Sequence, residues 1–584
     1  MPNTTMSSKS HKGLHLSTPL PIEEMVHSIG RNIDPFGMFT SLINAQLAWL
    51  SHPAELLRAT SALGDDLIAL QTHLIHRSLG QPSEDVVTPH GDDVRFAEPV
   101  WSERATWDII KELYLAITHR TQDMYFSTPG LSDEERRKSA FWARVWINAM
   151  APTNNFFTNP VAMHKFAETK GASLQAGFKN LMRDIKAKNI LMVEPDAFTV
   201  GKDVAYTPGK VVFQNKMFEL LHYTATTEKV QKVPLLIVPP WINKYYILDL
   251  NQRNSMIKYL VDQGFSVFIV SWKNPTPDMA DTSFEHYLID GVKTAVETVA
   301  EFCKVPKIHL AGYCIGGTLV STYMAWANAH YGAEKVPVLD WTLFTTLTDF
   351  REPGDISVFI DEHIIDHLEE SMAKKGYLDG SEMASSFRLL RSNSLVWNYW
   401  VHSYLYGENL PPMDVLFWNM DCTRMPYAMH AYYLREMYLN NNLAKPGHIR
   451  LAGQAIDLNH IEQPLYAVTA QDDHIAPWQE CYRIRKAMNA KTPVEFVLST
   501  SGHILGIINP PTNPPKRSFW AGQPEHHELA THWQARTEKQ AGTWWTHWTA
   551  WLKQRDPDEV KAYPTSSKAF PALSDAPGTY VMEK

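Results

Sequence analysis

Two patterns of apolar positions divide the chain near residue 205. Before that point, apolar side chains recur every three or four positions, as at Phe39, Ile43 and Leu47, which is typical of amphipathic helices. After it, short β-rich runs alternate with helical stretches, which predicts βαβ units and a mainly parallel sheet. We therefore expect a mainly helical N-terminal domain over 1–205 and an α/β domain over 206–584.

Six short apolar runs predict the strands of the α/β part. They cover 233–240, 266–272, 307–313, 340–346, 464–470 and 494–500. No comparable run occurs over about 350–463, and an aromatic-rich insertion of this size predicts a cap or lid on the sheet. Near the C-terminus, Trp544, Trp548 and Trp551 share one face of a helix expected to pack on the sheet. The tail 574–584 is expected to be loosely held.

Composition and charge narrow the classes of function. A net charge of −9 gives no reason to expect general nucleic-acid binding. The four cysteines form no Cys-x-x-Cys pair, which argues against a tetrathiolate metal site or a disulfide scaffold. The stretch "HELATH" at 527–532 is one residue too long for the H-E-x-x-H zinc motif, so no metal is expected. Residues 1–20 lack the apolar segment of a secretory signal, and no run is long enough to span a membrane, which favours a reducing cytoplasm.

The stretch "GYCIGG" at 312–317 carries the candidate nucleophile. Gly312 and Gly316 flank Cys314 with the G-x-nucleophile-x-G spacing of a nucleophile elbow, in which a sharp turn joins a strand to a helix. An apolar run precedes this motif and a helical run follows it, as the motif requires. The turn would lift the thiol above the sheet at the positive end of the helix, which favours a thiolate.

A base and an acid follow in the order that an α/β-hydrolase sheet uses. The fifth predicted strand is followed by Asp472, Asp473 and His474, and the sixth by a loop with His503. Either aspartate qualifies as the acid from its position alone, and His503 qualifies as the base. Nucleophile, acid and base would all stand at the carboxyl ends of parallel strands, so we expect a Cys-His-Asp triad.

Stabilisation of an oxyanion is expected from backbone amides. The N–H of Ile315, directly after the nucleophile, is one predicted donor. The second should come from the loop after the first strand, where Trp241 and Ile242 are the candidates.

A thiol in place of a serine indicates the type of reaction. A cysteine acyl-enzyme is itself a thioester, so its formation from a thioester donor such as an acyl-CoA involves little change in free energy. The acyl group therefore stays activated. Acyl transfer to a hydroxyl is therefore favoured over ester hydrolysis, provided that water is kept out. Two alternatives remain: a thioesterase or depolymerase on the same scaffold, and a non-catalytic protein that coats an apolar granule.

Several motifs together resemble the polyhydroxyalkanoate synthases, and the chain length resembles their class I. They are "NAMAPTNNFFTNP", "LLIVPPWINKYYILDL", "GYCIGGT", "LFTTLTDF", "NSLVWNYW", "QDDHIAPW" and "SGHILGIINPP". The resemblance runs from about residue 90 to the C-terminus. The first 80 or so residues match poorly, as is typical of a variable region.

The resemblance implies an α/β-hydrolase fold with a cap and a polymerase activity. Such enzymes join (R)-3-hydroxyacyl-CoA units into a polyester and release CoA, with no cofactor beyond the CoA of substrate and product. Cys314 would hold the growing chain as a thioester, His503 would be the base, and Asp473 the third member. Asp473 would help to deprotonate the attacking 3-hydroxyl, either directly or through His503. The expected location is the cytoplasm, at the surface of polyester granules.

The resemblance also implies supporting residues and an assembly. His474, Arg391 and Asn441 match polar positions that contact substrate or support the site. Trp418 lies in a segment associated with dimerisation, so a homodimer is expected. Trp241 departs from the family's usual smaller residue, and its indole would either narrow the acyl pocket or pack away from it.

Overall fold

The apolar runs of the α/β part form the strands of a large mixed sheet in a computed structural model, which describes residues 34–81, 83–88 and 93–584. Residues 1–20, which lack a predicted signal segment, lie outside these ranges. The strands are β1 (Gly209–Gln214), β2 (Phe218–Tyr223), β3 (Lys229–Gln231), β4 (Leu235–Val238), β5 (Val267–Trp272), β6 (Ile308–Tyr313), β7 (Val338–Phe344), β8 (Tyr377–Leu378), β9 (Met425–Pro426), β10 (Arg450–Leu451), β11 (Gln454–Ala455), β12 (Leu465–Ala470), β13 (Val494–Ser499), β14 (Ser518–Gly522), β15 (Lys539–Ala541), β16 (Glu559–Lys561) and β17 (Ser574–Asp575).

The main sheet has the order β15-β14-β13-β12-β7-β6-β4-β5-β2-β1-β17 among the residues described. Its six central strands, β13 to β5 in that order, are parallel neighbours and correspond to the six predicted runs. Strands covered on both faces need apolar residues at successive positions, which is why β4 and β6 are buried throughout. The predicted α/β-hydrolase fold is confirmed, with antiparallel strands added at both edges.

Helices cover both faces of the sheet and build the N-terminal part. Those before the sheet are α1 (Met38–Ser51), α2 (Pro53–Ser78), α3 (Val100–Glu103), α4 (Ala105–Phe126), α5 (Asp133–Ala149), α6 (Pro160–Glu168) and α7 (Ala172–Ala187). The later ones are α8 (Met256–Asp262), α9 (Phe284–His286), α10 (Thr294–Cys303), α11 (Ile315–Tyr331), α12 (Glu362–Lys375), α13 (Gly380–Leu390), α14 (Asp414–Met420), α15 (Tyr427–Tyr433), α16 (Trp478–Tyr482), α17 (Ile484–Ala487), α18 (Ala530–Arg536) and α19 (Trp544–Arg555).

The tryptophan face of α19 packs on the sheet, as predicted. Trp544 and Trp548 are buried, and both rings contact Phe344 at the end of β7. Trp551 is half-buried against Tyr466 of β12. Rings of this size remove a large apolar area from water, so α19 anchors this face of the sheet.

The insertion between β7 and β12 contains α12 to α15 and three π-helical stretches. These stretches are Asn393–Trp397, Trp400–Leu405 and Leu434–Leu439. Short π-helical segments inside helices are frequent at functional sites. The last of them follows α15 directly and reaches the candidate site described below.

The N-terminal helices contact the cap. Arg144 of α5 pairs with Asp355, with 2.8 Å between Nη2 and Oδ2. The hydroxyl of Tyr404 donates to Asp184 of α7 at 2.7 Å. The ring of Phe359 packs edge-on against two aromatic rings of α5. Aromatic, polar and charged contacts thus join the helical part to the insertion.

The expectation of a loosely held tail is wrong. Ser574 and Asp575 form β17, an edge strand paired with β1. The buried carboxylate of Glu219 accepts the backbone N–H groups of Thr579 and Tyr580 at 2.9 and 3.0 Å. A buried carboxylate requires such donors, and they come from residues about 360 positions away, which local sequence does not reveal.

No helix within the described ranges is both long and apolar enough to cross a bilayer.

We expect Gly177→Ala to destabilise the chain. A Cβ at this position in α7 would overlap the backbone carbonyl group of Tyr404, so the helix must move away from the cap. Overpacking of this kind costs about 1–3 kcal/mol. Urea unfolding followed by tryptophan fluorescence should show a lower midpoint.

The matched control for that variant is Gly64→Ala in α2, where a Cβ would meet open space. Because glycine weakens a helix interior, this change should raise the free energy of unfolding by about 0.5–1 kcal/mol. Equal midpoints for Gly177→Ala and the unmodified chain would contradict the close helix–cap approach.

Candidate active site

The elbow geometry at Cys314 is strained in the way that the motif predicts. Cys314 joins β6 to α11 with φ 53° and ψ −124°, a conformation that few non-glycine residues adopt. A Cβ on Gly312 would lie 2.6 Å from Gly317 Cα, and one on Gly316 would lie 2.5 Å from the carbonyl oxygen of Val238. Both glycines are therefore required by close backbone approach. A Cβ on Gly317 would likewise overlap the side chain of Thr346, so a glycine is needed there as well. The motif alone did not identify this third glycine.

His503 and Asp473 form a buried pair. His503 Nδ1 lies 2.7 Å from Asp473 Oδ2, and both side chains are buried. Asp473 Oδ1 accepts the backbone N–H groups of Ile475 and Ala476, each at 2.9 Å. Asp472 is exposed. Of the two aspartates that sequence position allowed, the structure brings Asp473 to the histidine.

Cys314 lies close enough to His503 to influence its titration. Burial alone would lower the pKa of His503, but the charges of Asp473 and Cys314 and the hydrogen bonds to them raise it to about 10. The ring is therefore suited to hold the proton of the thiol. Tyr313, the residue before the nucleophile, stacks on this ring with centroids 5.8 Å apart. Sequence reasoning missed Tyr313 because it occupies a variable position of the elbow motif.

The predicted oxyanion donors lie on both sides of the elbow. The N–H of Ile315 begins α11, and it has no acceptor among the residues described; the same is true of the amides of Trp241 and Ile242. The side chains on that loop diverge. The indole of Trp241 packs in the core against Tyr287 and Trp272, whereas Ile242 lines a cavity. Trp241 is not among the residues that line this cavity.

A cavity of about 440 Å³ lies between the elbow and the cap. Ile242 and Ile315 form its wall on the sheet side, and the opposite wall comes mainly from α12, α13, α15 and the π-helical stretch after α15. Most of its lining is aliphatic or aromatic. Burial raises the pKa of Tyr438 in this wall, and the nearby Cys314 raises it further. The mainly apolar cavity therefore extends to Ile315, the residue directly after the nucleophile.

The predicted supporting residues take different places. Asn441 donates to Asp349 Oδ1 at 2.8 Å and accepts the N–H of Phe350 at 2.8 Å, so it joins the cap to the loop after β7. Arg391 is exposed. Burial, and then the charge of Arg391, lower the pKa of His474 to about 4, so His474 is neutral beside the triad.

Trp418, which the resemblance associates with dimerisation, is buried within the chain. Its indole N–H donates to the carbonyl of Lys244 at 2.7 Å. Lys244 in turn donates from Nζ to the carbonyl of Glu583 at 2.7 Å. Both contacts stabilise the loop that carries the oxyanion candidates.

Asp473→Asn should slow alkylation of Cys314 by iodoacetamide at pH 7 by about tenfold or more. Loss of the carboxylate charge lowers the pKa of His503 by at least about one unit. A smaller fraction of the enzyme then carries the thiol proton on the imidazole, and the fraction with a reactive thiolate falls. Peptide mass spectrometry separates Cys314 from the other thiols.

The matched control is Asp472→Asn, because that neighbouring carboxylate is exposed. Its alkylation rate should equal that of the unmodified chain. Equal slowing by both variants would mean that the effect is one of general charge and does not come from the His503–Asp473 pair.

Comparison with known proteins identifies the family. The family model described as "Poly-beta-hydroxybutyrate polymerase (PhaC) N-terminus" matches residues 92–260. The poly(3-hydroxyalkanoate) polymerase of Methylorubrum extorquens is 39% identical over 551 residues, which cover 94% of this chain and 90% of that protein. The poly(3-hydroxyalkanoate) polymerase subunit PhaC of Cupriavidus necator is 38% identical over 498 residues, with 84% and 83% covered.

Among solved structures, the α/β hydrolase GrgF from Penicillium sp. sh18 has a TM-score of 0.31 at 14% identity, covering 51% of this chain and 91% of that chain. The family is shown by the sequence relatives, whose identity extends over nearly the whole length of both chains. The chain belongs to the poly(3-hydroxyalkanoate) polymerase family and is a polyhydroxyalkanoate synthase, an acyltransferase that makes polyester.

Proposed function

We propose that this synthase elongates its polyester through a thioester on Cys314, with (R)-3-hydroxyacyl-CoA as the donor. The observation that carries the proposal is the buried His503–Asp473 pair, which lies near Cys314, together with a mainly apolar cavity that reaches the next residue, Ile315. A thiol nucleophile conserves the activation of the acyl group, and a mainly apolar cavity disfavours the water that would hydrolyse it.

The first step would load the enzyme. Cys314 gives its proton to His503, and its sulfur attacks the thioester carbon of the donor. The resulting oxyanion faces the N–H of Ile315 and an amide of the 241–242 loop. The bond to the CoA sulfur then breaks, and His503 returns the proton to the departing thiolate.

The second step would lengthen the chain. The 3-hydroxyl oxygen of another donor attacks the acyl carbon held on Cys314, and its proton passes to His503 as the carbon–sulfur bond breaks. The lengthened chain is then a CoA thioester, which reloads Cys314 and releases CoA. Asp473 uses one oxygen for His503 and the other for two backbone amides. This engagement favours action through His503 over direct deprotonation of the substrate.

We also propose that the chain works as a homodimer at the surface of cytoplasmic polyester granules. Support comes from apolar side chains on α1 and α2 that are more than half exposed; these are Leu47, Leu50, Leu57, Ile68, Ile75. Exposed apolar surface of this kind is typical of contacts with a partner or another apolar phase.

The mechanism is tested with purified protein, (R)-3-hydroxybutyryl-CoA and its six-carbon analogue. Thiol release and precipitate should appear together, because each added unit frees one CoA and the polyester is insoluble. Cys314→Ala should abolish both, while the same substitution at Cys303, a buried thiol at the end of α10, should leave catalysis in place. Soluble 3-hydroxy acid in place of precipitate would establish a thioesterase instead.

The assembly is tested by light scattering and by pelleting with the polymer. The unmodified chain should scatter as a dimer and pellet with polyester. A Leu50→Lys, Leu57→Lys variant should release CoA at an unchanged initial rate but pellet less, because charge now interrupts the apolar surface. A monomer with full activity would contradict the dimer, and undiminished pelleting of the variant would contradict the assigned surface.

A further inference from the structure

The cavity that reaches Ile315 is lined by two histidines that the proposed mechanism does not use, His367 and His430, and only His430 is fully buried. His430 lies on α15 and is 3% exposed, and its ring lines the cavity together with Ile315 and Tyr433. Within the described ranges, Nδ1 of this ring is fully buried and lacks a hydrogen-bond partner. An unpaired imidazole in an apolar wall needs an explanation, because burying polar groups without partners is costly.

Burial lowers the pKa of His430 to about 4, so the ring is neutral at physiological pH. A neutral imidazole has one N–H donor and one bare nitrogen that accepts. The lining includes polar side chains such as Ser371, Glu382 and Ser385, but none of them bonds Nδ1 of the ring, and Met425, Leu434 and Ile242 contribute only apolar surface. The ring therefore suits a small uncharged polar group on an otherwise apolar ligand.

The cavity that His430 lines also reaches the residue next to the nucleophile. Ile315, in the same cavity wall, directly follows Cys314. Tyr433, about one helical turn after His430, also lines the cavity. Tyr438 lines it as well, and its pKa is raised by burial and further by the nearby Cys314. An acyl group on the Cys314 sulfur that enters this cavity would therefore share it with the ring of His430.

A 3-hydroxyacyl group has only two polar functions near its activated end. The carbonyl oxygen of the thioester faces the oxyanion amides, which leaves the 3-hydroxyl two carbons further along the chain. We propose that His430 hydrogen-bonds the 3-hydroxyl of the acyl group carried by Cys314, and thereby selects 3-hydroxyacyl donors over unsubstituted ones. This role rests on the proposed thioester function of Cys314.

The test compares (R)-3-hydroxybutyryl-CoA with butyryl-CoA, which lacks only the 3-hydroxyl. Single-turnover loading is followed as a burst of CoA release and as the mass increase of the enzyme. The unmodified enzyme should load the hydroxylated donor about 5- to 20-fold faster, as expected for one hydrogen bond to a buried group. His430→Phe should remove this preference and leave the butyryl rate within about twofold.

Two further variants separate recognition from packing. His430→Gln retains a donor and an acceptor, so it should recover part of the preference. Leu434→Met changes the apolar wall of the same cavity and should keep the preference intact. Urea unfolding of each variant shows whether it is folded under the assay conditions.

Three results would overturn the role of His430. The first is equal loading of both donors by the unmodified enzyme, which requires no variant. The second is equal slowing of both donors by His430→Phe, which would show a role in packing alone. The third is an undiminished preference in His430→Phe. Absence of any burst or mass increase in the unmodified enzyme would instead overturn the thioester function itself, and this role with it.

Discussion

The strained backbone at Cys314 is the constraint on which the site depends. A non-glycine residue at φ 53° is unfavourable by roughly 1–3 kcal/mol, so the surrounding structure must hold it there. The buried strand β6 supplies that support, because it lies between β4 and β7 at the centre of the sheet. The N–H of Cys314 bonds the carbonyl of Phe344 at 2.9 Å, which extends the sheet up to the nucleophile itself.

The charge of a protonated His503 is stabilised by the groups on either side of it. His503 lies between two groups that favour its protonated form, and the second oxygen of Asp473 is saturated by backbone amides. This leaves the imidazole as the group able to move a proton near the thioester. The cap side of the cavity is mainly apolar, so it disfavours water where hydrolysis would compete with chain growth.

Much of this arrangement could be predicted from the sequence. Strands buried on both faces read as continuous apolar runs, and the elbow and triad residues follow three of these runs directly. The choice between Asp472 and Asp473 could not be made, because adjacent residues share the same position relative to the strand. The edge strand β17 pairs with β1 across more than 350 residues, and no local pattern encodes such a contact. His430 could not be identified from the sequence either, because the cavity it lines is formed by residues that are far apart along the chain, such as Ile315 of α11.

The attachment of the N-terminal helices to the insertion has a mechanical consequence. Gly177 brings the α7 backbone against the backbone of Tyr404, and Arg144 pairs with Asp355 near the start of the insertion. Both contacts join the helical part to the insertion. Any displacement of the insertion relative to the sheet therefore requires either that these contacts break or that the helical part moves with it.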